Sequence, residues 1–244
     1  MQDFNPLFIK SVLLKREHVP SFSDYPFHLP AIATLTELSL KKQVTFLVGE
    51  NGSGKSTILE GIAAAYGFNP EGGTKNFNFS TYKTHSCLEG YLTIVKGGFR
   101  PEDGFFMRAE SFYNVATKID ELGLMNSYGG KSLHEQSHGE SFLSLFLHKF
   151  RGNSLYLLDE PEAALSPARQ MTMLARMHQL VLEDCQFIIA THSPIIMAYP
   201  NACIYELDEN GYREVLYEET EHYQMTKSFL EAPERMLRIL MDTD

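Results

Sequence analysis

The stretch "VTFLVGENGSGKST", residues 44–57, decides the fold. Its first half is an unbroken run of apolar and β-branched residues, the pattern of a strand buried on both faces in a parallel sheet. Its second half fits G-x-x-x-x-G-K-[ST], with Gly49, Gly54, Lys55 and Ser56 in register. The glycines let the backbone curl so that successive N–H groups point inward, at the start of a helix whose dipole also favours an anion. Glu50, Asn51, Gly52, Ser53 and Thr57 complete this cradle. Lys55 is expected to reach the β- and γ-phosphates, and Ser56 to offer its hydroxyl to Mg²⁺. "KSTILEGIAAAYG" (55–67) then carries helical spacing, with Ile58, Ile62 and Ala65 on one face and Gly67 as a stop.

A second strand signal, "SLYLLDE" (154–160), ends in two carboxylates, Asp159 and Glu160. The carboxyl edge of a parallel sheet is where such folds bind ligands. Asp159 is therefore expected to hold Mg²⁺, directly or through water, and Glu160 to orient and deprotonate an attacking water. The bland alternative is an acidic helix start. "PARQMTMLARMHQLVLE" (167–183) reads as helix and "QFIIATHSP" (186–194) as another buried strand, so the three form a βαβ unit with parallel pairing. His192 leaves that strand edge, where it could hydrogen-bond a γ-phosphate or hold the water.

"EQSHGESF" (135–142) clusters Ser137, His138, Glu140 and Ser141 as a hydrolase centre would. The G-x-S-x-G elbow is missing, because Gly139-Glu140-Ser141 runs on into Phe142 and Leu143. Neighbouring serine and histidine side chains also diverge, whereas a triad is gathered from distant positions. The apolar run "SFLSLFLHKF" (141–150) makes this the entry to a helix.

Elsewhere, 7–17 reads as a strand and 19–30 as a Pro-punctuated connection, while the polar 69–86 reads as a loop. Residues 87–96 and 105–112 suggest a β-hairpin with a long connection, and 113–125 a helix. Asn210-Gly211 sits between two alternating runs in 202–219, a good hairpin signal, and Glu218, Glu219 and Glu221 read as a solvated face. The chain has 244 residues, 43% of them hydrophobic, enough for one domain with a lobe. A net charge of −10 does not indicate nucleic-acid binding, although a local basic groove stays open. No run of 18 apolar residues exists and the start lacks the pattern of a signal peptide, so the expectation is a cytoplasmic protein without membrane insertion. Cys87, Cys185 and Cys203 read as small buried apolar residues.

Taken together, these motifs resemble an ABC-type ATPase, from the branch shared with SMC-like repair ATPases and small stand-alone AAA-family proteins. "GENGSGKST" is similar to the Walker A, "LYLLDEP" to the Walker B, "ALSP" (164–167) to the D-loop and "THSP" to the switch-histidine loop. "QSHGE" (136–140) falls where the family carries its signature, with Gln136 and His138 in place of the usual leucine and first glycine. The resemblance covers about residues 7–210 and implies an α/β P-loop NTPase fold: a mostly parallel central sheet, an antiparallel β subdomain and a helical signature lobe near 111–150, all within a single domain over 1–244. It further implies an ATP-dependent head-to-tail homodimer in which Ser137, Gly139 and Glu140 of one copy meet the ATP on the other's Walker A, with Ser166 of the D-loop nearby. No clear Q-loop glutamine is found; "RAES" (108–111) offers Glu110 as a metal ligand in its place, or merely a strand-end carboxylate. Phe22, Tyr25 and Phe27 are open as adenine-stacking aromatics, and Lys15 and Arg16 as phosphate-side cations or plain surface charges. Only 81 residues separate Lys55 from Ser137, which leaves no room for a coiled-coil arm. The resulting expectation is a soluble ATPase switch serving an unknown protein partner, with the ATP-binding subunit of an ABC transporter as the alternative.

Overall fold

In the computed structural model, residues 7–74, 86–108, 117 and 138–241 are described. A six-stranded sheet forms the centre in the order β5-β6-β7-β3-β8-β9. Its members are β3 (Val44–Gly49), β5 (Asp103–Arg108), β6 (Ser154–Asp159), β7 (Gln186–Ala190), β8 (Cys203–Asp208) and β9 (Gly211–Val215). All neighbouring pairs are parallel except β8 with β9, the hairpin turned at Asn210-Gly211. Strands β3, β6 and β7 are buried at every position, which explains their continuous rather than alternating apolar sequence.

Helices cover both faces of the sheet. On one, α2 (Lys55–Tyr66) and the short α1 (Pro30–Ala33) pack Ile58, Leu59, Ile62 and Ile32 against Leu47, Leu157 and Ile188. On the other, α3 (His138–His148) and α4 (Pro167–Leu182) pack Phe142, Phe146, Met173 and Met177 against Phe46, Tyr156 and Phe187. Phe150 stacks on Tyr156 at 4.0 Å and 8°, and the Tyr156 hydroxyl donates to the Arg151 carbonyl at 2.8 Å. Each such buried aromatic contributes about 1.5–3 kcal/mol by removal from water.

A smaller antiparallel sheet, β2-β1-β4, lies apart, built from β1 (Ile9–Leu14), β2 (Glu37–Ser39) and β4 (Leu92–Lys96). Gln186, fully buried at the start of β7, joins the two sheets: its side chain accepts from the Phe8 and Ile9 N–H groups at 2.8 and 2.9 Å and donates to the Ile9 carbonyl at 2.8 Å.

Two expectations are corrected. Residues 87–96 and 105–112 do not form a hairpin: β4 pairs with β1, whereas β5 runs parallel to β6 in the other sheet. Both runs are apolar enough to be strands, and only the tertiary partner decides which sheet each joins. Cys87 is exposed, while Cys185 and Cys203 are buried as expected. Of the helix expected over 113–125, only Thr117 is described, as helical; the rest of it, and most of the lobe near 111–150, lies outside the described residues. Helices α5 (Pro194–Met197), α6 (Glu221–Glu231) and α7 (Pro233–Met241) complete the fold.

Candidate functional site

Strand β3 sits between β7 and β8 and ends at Gly49, whose φ of +136° lies outside the range side chains favour. A Cβ there would stand 2.1 Å from the Leu207 carbonyl oxygen of β8, so glycine is required by space as well as by conformation. The following loop turns through Gly52 and Gly54, both with positive φ, into α2. Lys55, 4% exposed, curls back to donate to the Gly49 and Glu50 carbonyls at 2.8 Å each. Burial pushes its ammonium below the ordinary value, opposed by the carboxylates of Glu160 and Asp159. The cradle opens into a cleft of about 260 Å³ walled by Tyr25, Leu29, the 51–57 loop and Glu160. A larger hollow of about 680 Å³ lies on the other side of Glu50–Ser53, but Glu206, Asp208, Glu209, Glu219 and Glu221 on its walls face a single arginine, Arg213. Such a wall repels phosphate, and Lys55 is not part of it.

Beside the cradle, parallel pairing brings three strand ends together. Arg108 is opposite Asp159 across β5 and β6, and Asp159 opposite Ala190 across β6 and β7. The Ser56 hydroxyl donates to Asp159 Oδ1 at 2.8 Å, so two of the three residues considered as Mg²⁺ ligands meet. Both are hard oxygen donors, the set a small divalent cation takes when phosphate oxygens and water supply the remaining positions. Arg108 pairs with Glu60 at 2.7 Å and lies 3.8 Å from Asp159 Oδ2, a partnership not anticipated from sequence.

Glu160 adopts a left-handed conformation, φ 50° and ψ 53°, anchored by its N–H on the Ala190 carbonyl at 2.9 Å. A non-glycine residue held there is strained by about 1–2 kcal/mol. Its Oε1 lies 3.5 Å from His192 Nε2. Burial lowers the His192 pKa below the ordinary imidazole value, and Lys55 and His222 act in the same direction, against Glu160. Sequence reasoning missed two partners of this loop. Glu162 accepts the His192 N–H, and burial raises its carboxyl above the usual range. His222, on α6, approaches His192 Nδ1 through its own Nε2 at 3.0 Å. The second glutamate of "DEPE" was a visible signal for Glu162; nothing marked His222.

The signature region stands elsewhere. Gly139, in the first turn of α3, is packed so closely that a Cβ would lie 2.5 Å from the Ala164 carbonyl oxygen and 2.6 Å from Arg169 Nη1. Glu140 pairs with Arg169 at 3.3 Å, and the Ser166 hydroxyl caps α4 by accepting from the Arg169 N–H at 3.4 Å. None of Gly139, Glu140 and Ser166 walls the Lys55 cleft of its own chain. Ser137 and Glu110 lie outside the described residues.

Two family models match the chain in succession: "AAA domain" over residues 28–122, and "AAA domain, putative AbiEii toxin, Type IV TA system" over 125–198. The first spans the phosphate cradle, the second both carboxylates and His192. The chain is an ABC-type P-loop ATPase. This ATPase is 26% identical over 189 residues to an uncharacterized ABC transporter ATP-binding protein of Haemophilus influenzae, a match covering 69% of the chain and 71% of that protein. Over 83 residues it is 31% identical to structural maintenance of chromosomes protein 5 of Caenorhabditis elegans, covering 31% of the chain and 8% of that protein. The ATPase spans between 8% and 71% of the length of the curated relatives it matches. Among solved structures, cbiO1 from Clostridium perfringens, part of the ABC transporter complex cbiONQ, shares its fold with a TM-score of 0.50 at 18% identity, covering 97% of this chain and all of that one.

Proposed function

We propose that the ATPase binds Mg²⁺-ATP at the cradle of residues 49–57 and hydrolyses it between two copies packed head to tail, as a switch for a partner protein. The observation that carries this reading is the convergence of the start of α2 with the ends of β6 and β7: Ser56 with Asp159 at 2.8 Å, and Glu160 with His192 at 3.5 Å, beside Lys55. The loop N–H groups and Lys55 hold the phosphates, Lys55 exchanging its two carbonyl partners for phosphate oxygens. Ser56 and Asp159 hold Mg²⁺, which when bound neutralises charge developing on the β- and γ-phosphates. Glu160 takes the proton of the attacking water, and His192 Nε2, which has no hydrogen-bond partner among the described residues, donates to the γ-phosphate. Tyr25 is the aromatic placed to stack on adenine: it is 60% exposed on the cleft wall with its hydroxyl 3.4 Å from that of Thr57. Phe27 is buried against Tyr91, and Phe22 lies under Arg16 at 4.6 Å. Arg16 itself donates to the Ala33 and Leu35 carbonyls, which favours a structural role.

Dimerisation is supported by where Gly139, Glu140 and Ser166 sit among the described residues. The Gly139 and Glu140 turn and Ser166 sit together around Arg169 and do not wall it, so a second copy is the natural source of γ-phosphate donors, Ser137 among them. ATP then glues the interface and its hydrolysis releases it. Glu110 stands as a further metal ligand. We read the chain as one domain with a lobe near 111–150, working in the cytoplasm; none of its described helices is long and apolar enough to cross a membrane. A second reading, the ATP-binding subunit of a transporter, is favoured by the name of the Haemophilus relative. Co-sedimentation with membranes from a native lysate separates the two. Glu160→Gln should lower steady-state phosphate release by roughly 10²- to 10⁴-fold and accumulate ATP-bound dimers in light scattering. Unchanged turnover would refute the base assignment, and monomer alone at saturating Mg²⁺-ATP would refute the sandwich.

A further inference from the structure

His192 is held on two sides, its backbone N–H on the Glu162 carboxylate and its Nδ1 3.0 Å from His222 Nε2. The third side, Nε2, is buried, has no hydrogen-bond partner among the described residues and lies toward Glu160. A neutral imidazole carries one proton, so only one of two tautomers can donate from Nε2. The environment of His192 favours that neutral form, through burial and the nearby Lys55 ammonium.

We propose that His222 is a positioning residue: by donating its Nε2–H to His192 Nδ1, it fixes His192 as the tautomer whose Nε2–H points into the site. Two observations select this direction over its reverse. In the reverse arrangement a bare His192 Nε2 lone pair would face the Glu160 carboxylate at 3.5 Å, and a phosphate beyond it, with repulsion at both. The reverse would also place the His222 proton on Nδ1, buried with no acceptor among the described residues, whereas the His192 Nε2–H of the proposed form has the Glu160 carboxylate 3.5 Å away. A buried N–H without an acceptor is rarer and costlier than a bare acceptor nitrogen. The surrounding chain holds His222 for this task. Tyr217 donates to the Pro194 carbonyl at 2.9 Å, the Glu221 N–H donates to Glu206 Oε1 at 2.9 Å, and Thr220 caps α6 by accepting the Tyr223 N–H at 3.4 Å. The start of α6 is thus tied both to the loop after His192 and to β8.

The inference rests on His192 acting as a γ-phosphate donor, so its test has one arm that needs no ATP. Long-range ¹H–¹⁵N correlation spectra of the full chain, with the His192 ring assigned by its loss in His192→Gln, should show the Nε2–H tautomer. The same ring should turn to the Nδ1–H form or to a mixture in His222→Ala. His222→Gln, whose amide N–H₂ can replace the lost donor, should restore the tautomer. In turnover, His222→Ala should lower kcat by about 10- to 100-fold, the usual effect of losing an orienting partner. KM for ATP should move by less than about threefold, and His222→Gln should recover most of the loss. A wild-type ring already in the Nδ1–H or imidazolium form overturns the proposal, as does an unaltered His192 tautomer in His222→Ala. Normal turnover by His192→Gln would instead refute the donor role of His192 and leave the tautomer result to stand or fall by itself.

Discussion

The two halves of the site are built in opposite ways. The phosphate cradle is local: nine consecutive residues, 49–57, between one strand and one helix, with a conformation set by positive-φ glycines. The carboxylate and histidine half is assembled: Asp159 and Glu160 from the end of β6, Glu162 just beyond it, His192 from the end of β7 and His222 from α6, linked by contacts that span 30 residues or more. A local device tolerates no change in its backbone but needs little else. An assembled one distributes its requirements over many side chains, each individually less critical to folding.

The sharpest way to break this comparison is Gly49→Ala. The new methyl would meet the Leu207 carbonyl oxygen at 2.1 Å in a conformation that already disfavours side chains. A loss of at least about 3 kcal/mol is expected, seen as a fall in Tm of roughly 6–12 °C. A stable Gly49→Ala protein would show that the cradle is less rigid than its packing implies.

Arg108→Met probes the assembled half. It leaves Glu60 and Asp159, with side chains 11% and 7% exposed, without the guanidinium 2.7 and 3.8 Å away. A destabilisation of about 2–4 kcal/mol in urea unfolding is expected, since breaking a buried pair removes the opposite charge that offsets the desolvation of the carboxylates. Bound Mg²⁺ should recover part of it if Asp159 holds the cation.

The smallest effect is expected from Glu162→Gln, which keeps an acceptor for the His192 N–H. The wild-type carboxyl is raised above its ordinary value by burial, so the folded state binds its proton more tightly than the unfolded chain does. Its stabilising contribution is complete below the unfolded pKa near 4.5 and lost as pH rises through the folded value. The Tm of the glutamine variant relative to wild type should therefore climb as pH increases across that window. A difference independent of pH would mean that Glu162 binds its proton equally well in the folded and unfolded chain.

Legibility followed the same division. The strand-loop-helix of 44–66, the β6-α4-β7 unit and the β8-β9 hairpin were all readable, because each is a local pattern of period, caps and turn residues. The hairpin expected from 87–96 and 105–112 was not there, because β-branched and apolar content says that a segment will pair and not with what. Exposed Cys87 was misread for a related reason: residue type gives an average burial, not a position. Among site residues, Asp159, Glu160 and His192 could be named from their strand ends, but Arg108 acquires its role only by its register with Asp159. His222 sits in a polar helix with no sequence feature to distinguish it.

By itself, the sequence determined which groups are on offer: a glycine-rich loop before a helix, a serine and an aspartate with hard oxygens, a glutamate at one strand end and a histidine at the next. Those follow from residue types at fixed spacing, which local backbone geometry converts directly into shape. The tertiary structure alone decided which side chains aim the machinery: Arg108 beside Asp159, Glu162 beneath the His192 backbone and His222 against its ring. Parallel pairing and helix packing bring together residues up to 51 positions apart for Arg108 and Asp159, and only those contacts set charge balance and tautomer.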